Sequence, residues 1–164
     1  MKSTPKPLII SFEKLDDLAK RVNFFNTMRD HQRSRVLRQL SSNIYAYKKG
    51  EQILREGDDD TDMYILLSGS VTVAKGKDEF FPLGTIVAGD FFGEISFIMK
   101  NRRLASVVAN EDCIVLRLCD EHFGTLELPI QMAIKDKILV KLITRLDKMN
   151  KQVIELHQNN AIAL

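Results

Sequence analysis

Several features that mark large classes of protein are missing from this sequence. It has two cysteines, Cys113 and Cys119, without the spacing of a metal site, and buried thiols of this kind fit a reducing cytosol. No apolar run approaches the length that spans a membrane. The apolar residues 8–10 are too few for a signal peptide. We therefore expect a cytoplasmic protein that does not enter a membrane.

An excess of charge of one sign is also missing. The 24 basic and 22 acidic side chains leave a net charge of +2, which provides no broad basic field for nucleic acid. Basic residues are concentrated locally, at Lys100, Arg102 and Arg103. An apolar fraction of 45% over 164 residues is ordinary for one domain with a buried core. Direct binding of nucleic acid is not predicted.

The sequence contains no recognisable catalytic constellation. Metal-dependent enzymes built on small β-barrels place several histidines on their strands, whereas His31, His122 and His157 fall in predicted helical regions. No serine or cysteine nucleophile stands in a recognisable context with a base. The acidic run at 58–62 lacks the glycine and distal glutamate of a calcium loop, so a solvated hairpin is predicted there. We expect a protein that is not an enzyme and carries no metal or cofactor.

The sequence does contain a series of short apolar runs separated by glycines. The run at 63–67 is apolar throughout, which is typical of a strand buried on both faces. The spacing of the glycines is typical of an all-β barrel or jelly roll. A hairpin turn is predicted at 75–78, and strands are predicted at 44–47, 52–54, 63–67, 71–73, 80–81, 86–87, 105–109 and 113–118.

Helices are predicted on both sides of this β region. After an extended segment at 1–10, Ser11 can cap a first helix and Asp30 a second, each with apolar residues at helical spacing. After the strands, Asp120 can cap a short helix at 121–126. The β region with its flanking helices is therefore placed at 11–128.

A long helix opened by Pro129 is predicted at 129–158, followed by a frayed tail at 159–164. Its apolar residues repeat in alternating steps of three and four, the heptad pattern of a coiled coil. This pattern predicts a homodimer, although the same face could pack against the β region instead. No second domain with a DNA-reading, kinase or channel function is expected. The heptad residues are Leu139, Leu142, Leu146, Met149, Val153 and Leu156.

The stretch from 90 to 106 contains the candidate binding site. Residues 90–93 are predicted to form a turn, and a short helix at 94–99 follows, whose first amide groups favour an anion. Arg103 adds a planar cation suited to two phosphate oxygens. A carboxylate such as Glu94 beside an anion site needs hydrogen-bond donors, which a pair of sugar hydroxyls would supply. The pattern predicts a ligand in which a phosphate and a sugar lie close together.

This pattern resembles the phosphate-binding cassette of cyclic-nucleotide-binding domains, which occur in catabolite activator-type transcription factors, protein kinase regulatory subunits and cyclic-nucleotide-gated channels. A second signature lies upstream, where apolar residues precede Gly57 and an apolar run precedes Gly69 and Val71. The two motifs occur in the family order, and the resemblance covers residues 24–118. It implies an eight-stranded antiparallel β-roll, similar to a jelly-roll barrel, with flanking helices and a regulatory sensor function in signal transduction.

The resemblance also implies a role for each residue of the cassette. Arg103 neutralises the cyclic phosphate, and Glu94 accepts a hydrogen bond from the ribose 2′-hydroxyl. The base rests against an apolar wall that includes Val73, and the helix at 129–158 covers it as a lid. Backbone N–H groups complete the phosphate site, in segments that contain Phe92, Gly93, Ile95, Ser96, Leu104 and Ala105.

Three positions depart from the family pattern. Asp60 stands in a loop where a small residue is usual and is predicted to be harmless, and Phe97 replaces an aliphatic residue and is expected to change only the packing. Leu104 stands where Ser, Thr or Ala is common and provides no hydroxyl, so we expect cyclic AMP to be preferred over cyclic GMP.

Two other interpretations stay open. Because Leu104 puts ligand affinity in doubt, the chain could be a ligand-free β-roll that serves as a dimerisation or scaffold module. It could also be a truncated transcription-factor-like regulator that acts on DNA through a partner. In either case a downstream protein partner is expected, and the sequence does not name it.

Overall fold

A computed structural model describes residues 5–26, 28–76 and 80–162 of the chain. The chain divides into two compact units, Met1–Leu126 and Glu127–Leu164. The described strands all lie in the first unit, and one long helix forms the described part of the second. In the part of the chain that the structure describes, no helix has both the length and the apolar character needed to cross a membrane.

Two helices lie near the start of the first unit. The first begins where the Ser11 hydroxyl accepts a hydrogen bond from the Lys14 amide at 3.3 Å, as the sequence predicts. The second has Arg29 at its N-cap, so Asp30 is its first residue and not the predicted cap. These elements are α1 (Phe12–Lys20), α2 (Asp30–Leu40) and a 3₁₀ turn at Ser41–Asn43.

The strands form two antiparallel sheets. They are β1 (Lys6–Pro7), β2 (Ile44–Tyr47), β3 (Gln52–Leu54), β4 (Met63–Ser68), β5 (Ser70–Lys75), β6 (Phe81–Val87), β7 (Phe91–Phe92), β8 (Ser106–Ala109) and β9 (Cys113–Leu118). The strand order is β1-β2-β9-β4-β7 in one sheet and β3-β8-β5-β6 in the other. Among these strands no ladder joins the two sheets, so the predicted closed barrel is wrong. The mainly β fold with flanking helices is confirmed, and the described residues contain nine short strands where eight were predicted.

One hydrophobic core takes side chains from both sheets. Leu66 and Val115 come from the first sheet, Val71 and Val107 come from the second, and none of them is more than 3% exposed. Successive side chains of a strand point to opposite faces, so one face of each sheet supplies this core. β4 is buried from Met63 through Leu67, as its continuous apolar run predicts.

The region between β5 and α3 differs from the sequence prediction. The predicted strands at 80–81 and 86–87 are a single strand, β6, which accommodates Pro82 at a shift in register. The predicted turn at 90–93 instead contains β7, which pairs with β4. The predicted hairpin turn at 75–78 lies partly outside the described residues.

Two short helices complete the first unit. They are α3 (Glu94–Met99), which has its predicted bounds, and α4 (Asp120–Thr125), which has Cys119 and not Asp120 at its N-cap. The Phe97 ring of α3 packs edge-on against Phe123 of α4, with 5.4 Å between ring centres. Phe97 therefore contributes to packing, as its departure from the family pattern predicts.

The second unit contains α5 (Leu128–Ile162). This helix begins one residue before Pro129 and continues past the predicted end at 158, so the predicted frayed tail is helical as far as Ile162. Leu142 is half-buried. The other heptad residues are each 52–61% exposed: Leu139, Leu146, Met149, Val153 and Leu156.

Candidate cyclic nucleotide site

A glycine fixes the geometry at the start of α3. Gly93 is the N-cap of this helix and has φ +79° and ψ 4°, a left-handed conformation that residues with a Cβ rarely adopt. A Cβ at this position would lie 2.9 Å from Arg103 Nη1 and 2.9 Å from the Asp62 carbonyl oxygen. Only glycine therefore lets the backbone approach the arginine this closely.

Arg103 is buried against this glycine. Its Nη1 donates to the Gly93 carbonyl at 3.1 Å, and its Nη2 donates to the Asp62 carbonyl at 2.5 Å. Nη2 also forms an ion pair with the Asp60 carboxylate. The residue is 3% exposed, and its Nε–H is buried without a hydrogen-bond partner. The Nε–H is therefore an unused donor in a place that water does not reach.

Backbone and side-chain hydrogen bonds hold the Arg103 segment against the loop after β3. The Arg103 amide donates to the Asp58 carbonyl, and the Gly57 amide donates to the Arg103 carbonyl, both at 2.9 Å. Three residues later the Ser106 hydroxyl accepts from the Glu56 amide at 2.9 Å. These bonds fix the position of Arg103 before any ligand arrives.

The other predicted cassette residues differ in exposure. Glu94 and Ser96 are each 3% exposed, and the Ser96 hydroxyl donates to the Arg102 carbonyl at 3.3 Å, which closes the loop after α3. Leu104 is 45% exposed. Ile95 and Ala105 are half-buried.

Two predicted site residues belong to the core. Phe92 is 1% exposed, and its ring stacks on Tyr64 at 5.4 Å with an interplanar angle of 6°. Val73 is partly buried against the core cluster. The structure thus brings Gly93 and Arg103 into contact, and it places the Phe92 side chain under the site and not at its surface.

The acidic run at 58–62 was predicted to be a solvated hairpin, and this prediction is wrong for Asp60 and Asp62. Asp62 is buried and Asp60 is half-buried, and both contact arginines that follow α3. The carboxylate of Asp60 pairs with Arg103, and that of Asp62 accepts from Arg117 Nε at 2.5 Å. The sequence did contain a signal for these ion pairs, because acidic residues precede β4 and arginines of opposite charge follow α3.

Tyr64 and Arg117 extend this network and were also missed. The Tyr64 ring centre lies 5.9 Å from the Arg103 guanidinium carbon, close enough for a cation–π contact. Burial raises the pKa of the Tyr64 hydroxyl, so the ring stays neutral at physiological pH. Burial disfavours the charge of Arg117, but the Asp62 carboxylate beside it outweighs this effect and raises its pKa. Arg117 therefore remains cationic beside Asp62.

Within the described residues, no three His, Cys, Asp or Glu side chains lie close enough together to hold a metal ion. The arrangement can bind an anion, because a buried guanidinium with an unused donor attracts a negatively charged acceptor.

Comparison with known proteins identifies this arrangement. The sequence profile of the cyclic nucleotide-binding domain matches residues 45–126, which is half of the chain. The chain belongs to the cyclic nucleotide-binding domain family. The resemblance predicted from the two motifs is therefore confirmed. Within this cyclic nucleotide-binding domain, Gly93, Glu94 and Arg103 all lie inside the matched segment.

One curated relative of this chain is a kinase regulatory subunit. The cAMP-dependent protein kinase regulatory subunit of Candida albicans is 31% identical over 125 residues, which cover 74% of this chain and 26% of that protein. The chain thus spans about a quarter of the length of that relative.

Solved structures agree on the fold. A structure described as PKAR CBD2 bound to Sp-2Cl-cAMPS has a TM-score of 0.65 and 25% identity, covering 87% of this chain and 90% of the other. The Thermus thermophilus catabolite activator protein has a TM-score of 0.68 and 24% identity, covering 80% of this chain and 62% of the other.

Proposed function

We propose that this domain binds a cyclic mononucleotide, whose phosphate sits against Arg103 at the start of α3. The observation that carries this proposal is the Nε–H of Arg103, which is buried and has no partner. Leaving a buried donor unsatisfied costs about 1–3 kcal/mol, and an anionic acceptor that reaches it removes this cost. A phosphate oxygen is such an acceptor, and the arginine charge strengthens the bond.

Different neighbouring residues make the remaining contacts with the phosphate, the ribose and the base. In this proposal the backbone N–H groups of Gly93, Ile95 and Ser96 face the phosphate, together with those of Leu104 and Ala105. The buried Glu94 carboxylate accepts from the ribose 2′-hydroxyl, and the apolar surface at Val73 carries the base. A switch also requires that ligand bind two conformations of the protein with different affinity.

Cyclic AMP is the proposed ligand. Two comparisons support it, a relative that is named a cAMP-dependent kinase regulatory subunit and a structural neighbour bound to Sp-2Cl-cAMPS. The test is calorimetry of the purified protein with cyclic AMP, cyclic GMP and a cyclic dinucleotide as a control for general affinity for phosphate. Saturable heat with cyclic AMP is expected, and no heat with either mononucleotide would refute the proposal.

The choice of base is expected to depend on Leu104. A hydroxyl at this position could bond both the phosphate and a guanine amine, and Leu104 cannot provide that bond. One hydrogen bond contributes about 0.5–1.5 kcal/mol, so cyclic AMP is expected to bind better than cyclic GMP. Leu104→Thr should narrow this gap in competition binding by strengthening cyclic GMP more than cyclic AMP.

A control substitution separates the effect of adding a hydroxyl at position 104 from the effect of removing the leucine side chain. Leu104→Val is close to threonine in shape, and the gap between the two nucleotides should stay as in the wild type. A wild-type preference for cyclic GMP would contradict this account and point to Ser106. The Ser106 hydroxyl is buried and already accepts from the Glu56 amide.

A ligand-free module is the second candidate function, and one observation favours it. The positive charge of Arg103 is already matched by the Asp60 carboxylate. A domain of this kind would serve as a dimerisation or scaffold piece. The calorimetric titration described above decides between the two candidates.

We further propose that two chains associate through α5. Six apolar residues of this helix repeat with heptad spacing, and five of them are more than half exposed. The double change Leu142→Glu with Met149→Glu would place charge in the seam and should convert dimers into folded monomers. Sedimentation at high micromolar concentration measures this outcome.

The control for the dimer prediction changes charge on the opposite side of α5. Thr144→Glu with Lys151→Glu introduces the same number of glutamates at positions outside the seam, and this variant should still form dimers. A wild-type chain that sediments as a monomer would show that the seam does not hold two copies together.

A further inference from the structure

We propose that the Asp60 carboxylate is an internal competitor of the ligand phosphate at Arg103, so that release of this carboxylate controls affinity. This inference rests on the proposed cyclic nucleotide site and names a residue that sets how tightly it binds. Asp60 was predicted to be harmless in its loop. Its carboxylate instead forms an ion pair with Arg103, the arginine of the proposed site.

The ion pair between Asp60 and Arg103 occupies the donor that a phosphate would use. Nη2 of Arg103 donates to both the Asp60 carboxylate and the Asp62 carbonyl, and Nη1 donates to the Gly93 carbonyl. Nε therefore remains available to a phosphate, whereas Nη2 does not while Asp60 stays in place. Two-point binding of a phosphate by the guanidinium requires a second donor, and Asp60 competes for it.

The electrostatics of the site also indicate that Asp60 competes with the phosphate, as the hydrogen-bond donors do. The arginine side chain is 1% exposed, so water screens its charge poorly, and the carboxylate beside it cancels most of its attraction for an anion. A phosphate that arrived with Asp60 still in contact would face a like charge at close range. Binding therefore requires the carboxylate to move away from the guanidinium.

The Asp60 side chain is more exposed than that of Asp62. The Asp60 side chain is 27% exposed, so its carboxylate already lies partly in solvent. The Asp62 side chain is 12% exposed, and its carboxylate is held by Arg117 at 2.5 Å. Asp62 can thus keep Arg103 in place through its carbonyl after Asp60 leaves.

The neighbouring pair provides a matched control. Arg102 donates to the Asp59 carboxylate at 2.7 Å, so residues 59 and 60 each pair with one of two consecutive arginines. The side chains of this second pair are 79% and 73% exposed. Exposed pairs contribute little, so loss of Asp59 should leave both affinity and stability close to those of the wild type.

The test is a titration of the full chain with cyclic AMP for the wild type, Asp60→Ala, Asp60→Asn and Asp59→Ala. Loss of the competing charge in either Asp60 variant is expected to tighten binding about tenfold or more, whereas Asp59→Ala should change it less than about twofold. The asparagine variant keeps the size of the side chain and an acceptor for Arg103, so it retains the fold if the alanine variant does not.

Thermal melting without ligand gives a second readout. Both Asp60 variants should melt at a lower temperature than the wild type, because Arg103 is left buried without its counter-charge, and cyclic AMP should raise their melting temperature more than it raises that of the wild type. Asp60 variants that bind cyclic AMP as tightly as the wild type, or less tightly, would overturn the competitor role and leave the proposed site standing. Absence of binding in all four proteins would overturn the site itself, and the competitor role with it.

Discussion

Replacement of Arg103 by alanine is expected to weaken cyclic AMP binding by about 2–5 kcal/mol, which is roughly thirtyfold at the least. The Arg103 side chain is 1% exposed, so the phosphate would lose a charge-assisted contact in a place where water cannot replace it. Arg102→Ala is the matched comparison, because Arg102 is the next residue and its side chain is 73% exposed. Calorimetry that gives equal losses for the two variants would show that the wrong arginine has been assigned.

A double variant separates loss of binding from loss of folding. Arg103→Ala alone leaves the Asp60 carboxylate without its partner in a partly buried place and should lower the melting temperature. Arg103→Ala with Asp60→Ala removes both charges and is expected to recover part of that stability. The double variant should still bind cyclic AMP poorly, since Arg103 is absent from it. Recovery of binding in the double variant would mean that Arg103 does not hold the phosphate.

The parts of the fold that depend on local sequence could be predicted. A serine whose hydroxyl bonds the amide three residues later begins α1, and the apolar run at 63–67 forms a buried strand. α3 has its predicted bounds because Gly93 fixes where the helix starts and Lys100, with φ 52°, adopts the left-handed conformation where it ends. In each case the residues that decide the structure are within a few positions of one another.

The parts that depend on distant pairing could not be predicted. Alternation of apolar residues indicates which face of a strand is buried, but it does not specify which strand edges meet, so two sheets were mistaken for a closed barrel. β7 has two residues, and its pairing with β4 determines its conformation. The contact between Asp60 and Arg103 joins residues 43 positions apart, and an acidic run in a loop is more often solvated.

The family resemblance determined which residues were assigned to the site. It also explains why the role of Asp60 was missed. The two motifs identified the cassette, and the match over residues 45–126 confirms the family. A family pattern assigns roles to positions that match it, and it assigns none to a residue that departs from it. Asp60 is such a departure, and only the structure reveals that its carboxylate reaches Arg103.

Gly93 and Gly57 offer a test of how closely the backbone must approach the arginine. Both have positive φ, +79° at Gly93 and +87° at Gly57, so alanine at either position bears the same kind of backbone strain. A Cβ at Gly57 would have no atom within 4 Å, whereas a Cβ at Gly93 would lie 2.9 Å from Arg103 Nη1 and from the Asp62 carbonyl. Because the backbone strain is similar in the two variants, the difference in their stability and affinity measures the effect of the clash with Arg103 and Asp62.

Gly57→Ala is expected to lose about 1–2 kcal/mol of stability and to keep its affinity for cyclic AMP. Gly93→Ala should lose about 1–3 kcal/mol more, because the added methyl group forces the guanidinium or the 62–63 peptide to move. Its affinity for cyclic AMP should fall by about 2 kcal/mol or more, close to the effect of removing Arg103. Thermal melting and calorimetry on the two variants measure these differences. Equal affinities in Gly57→Ala and Gly93→Ala would show that ligand binding does not depend on the contact between Gly93 and Arg103, and the phosphate would then have to be bound elsewhere.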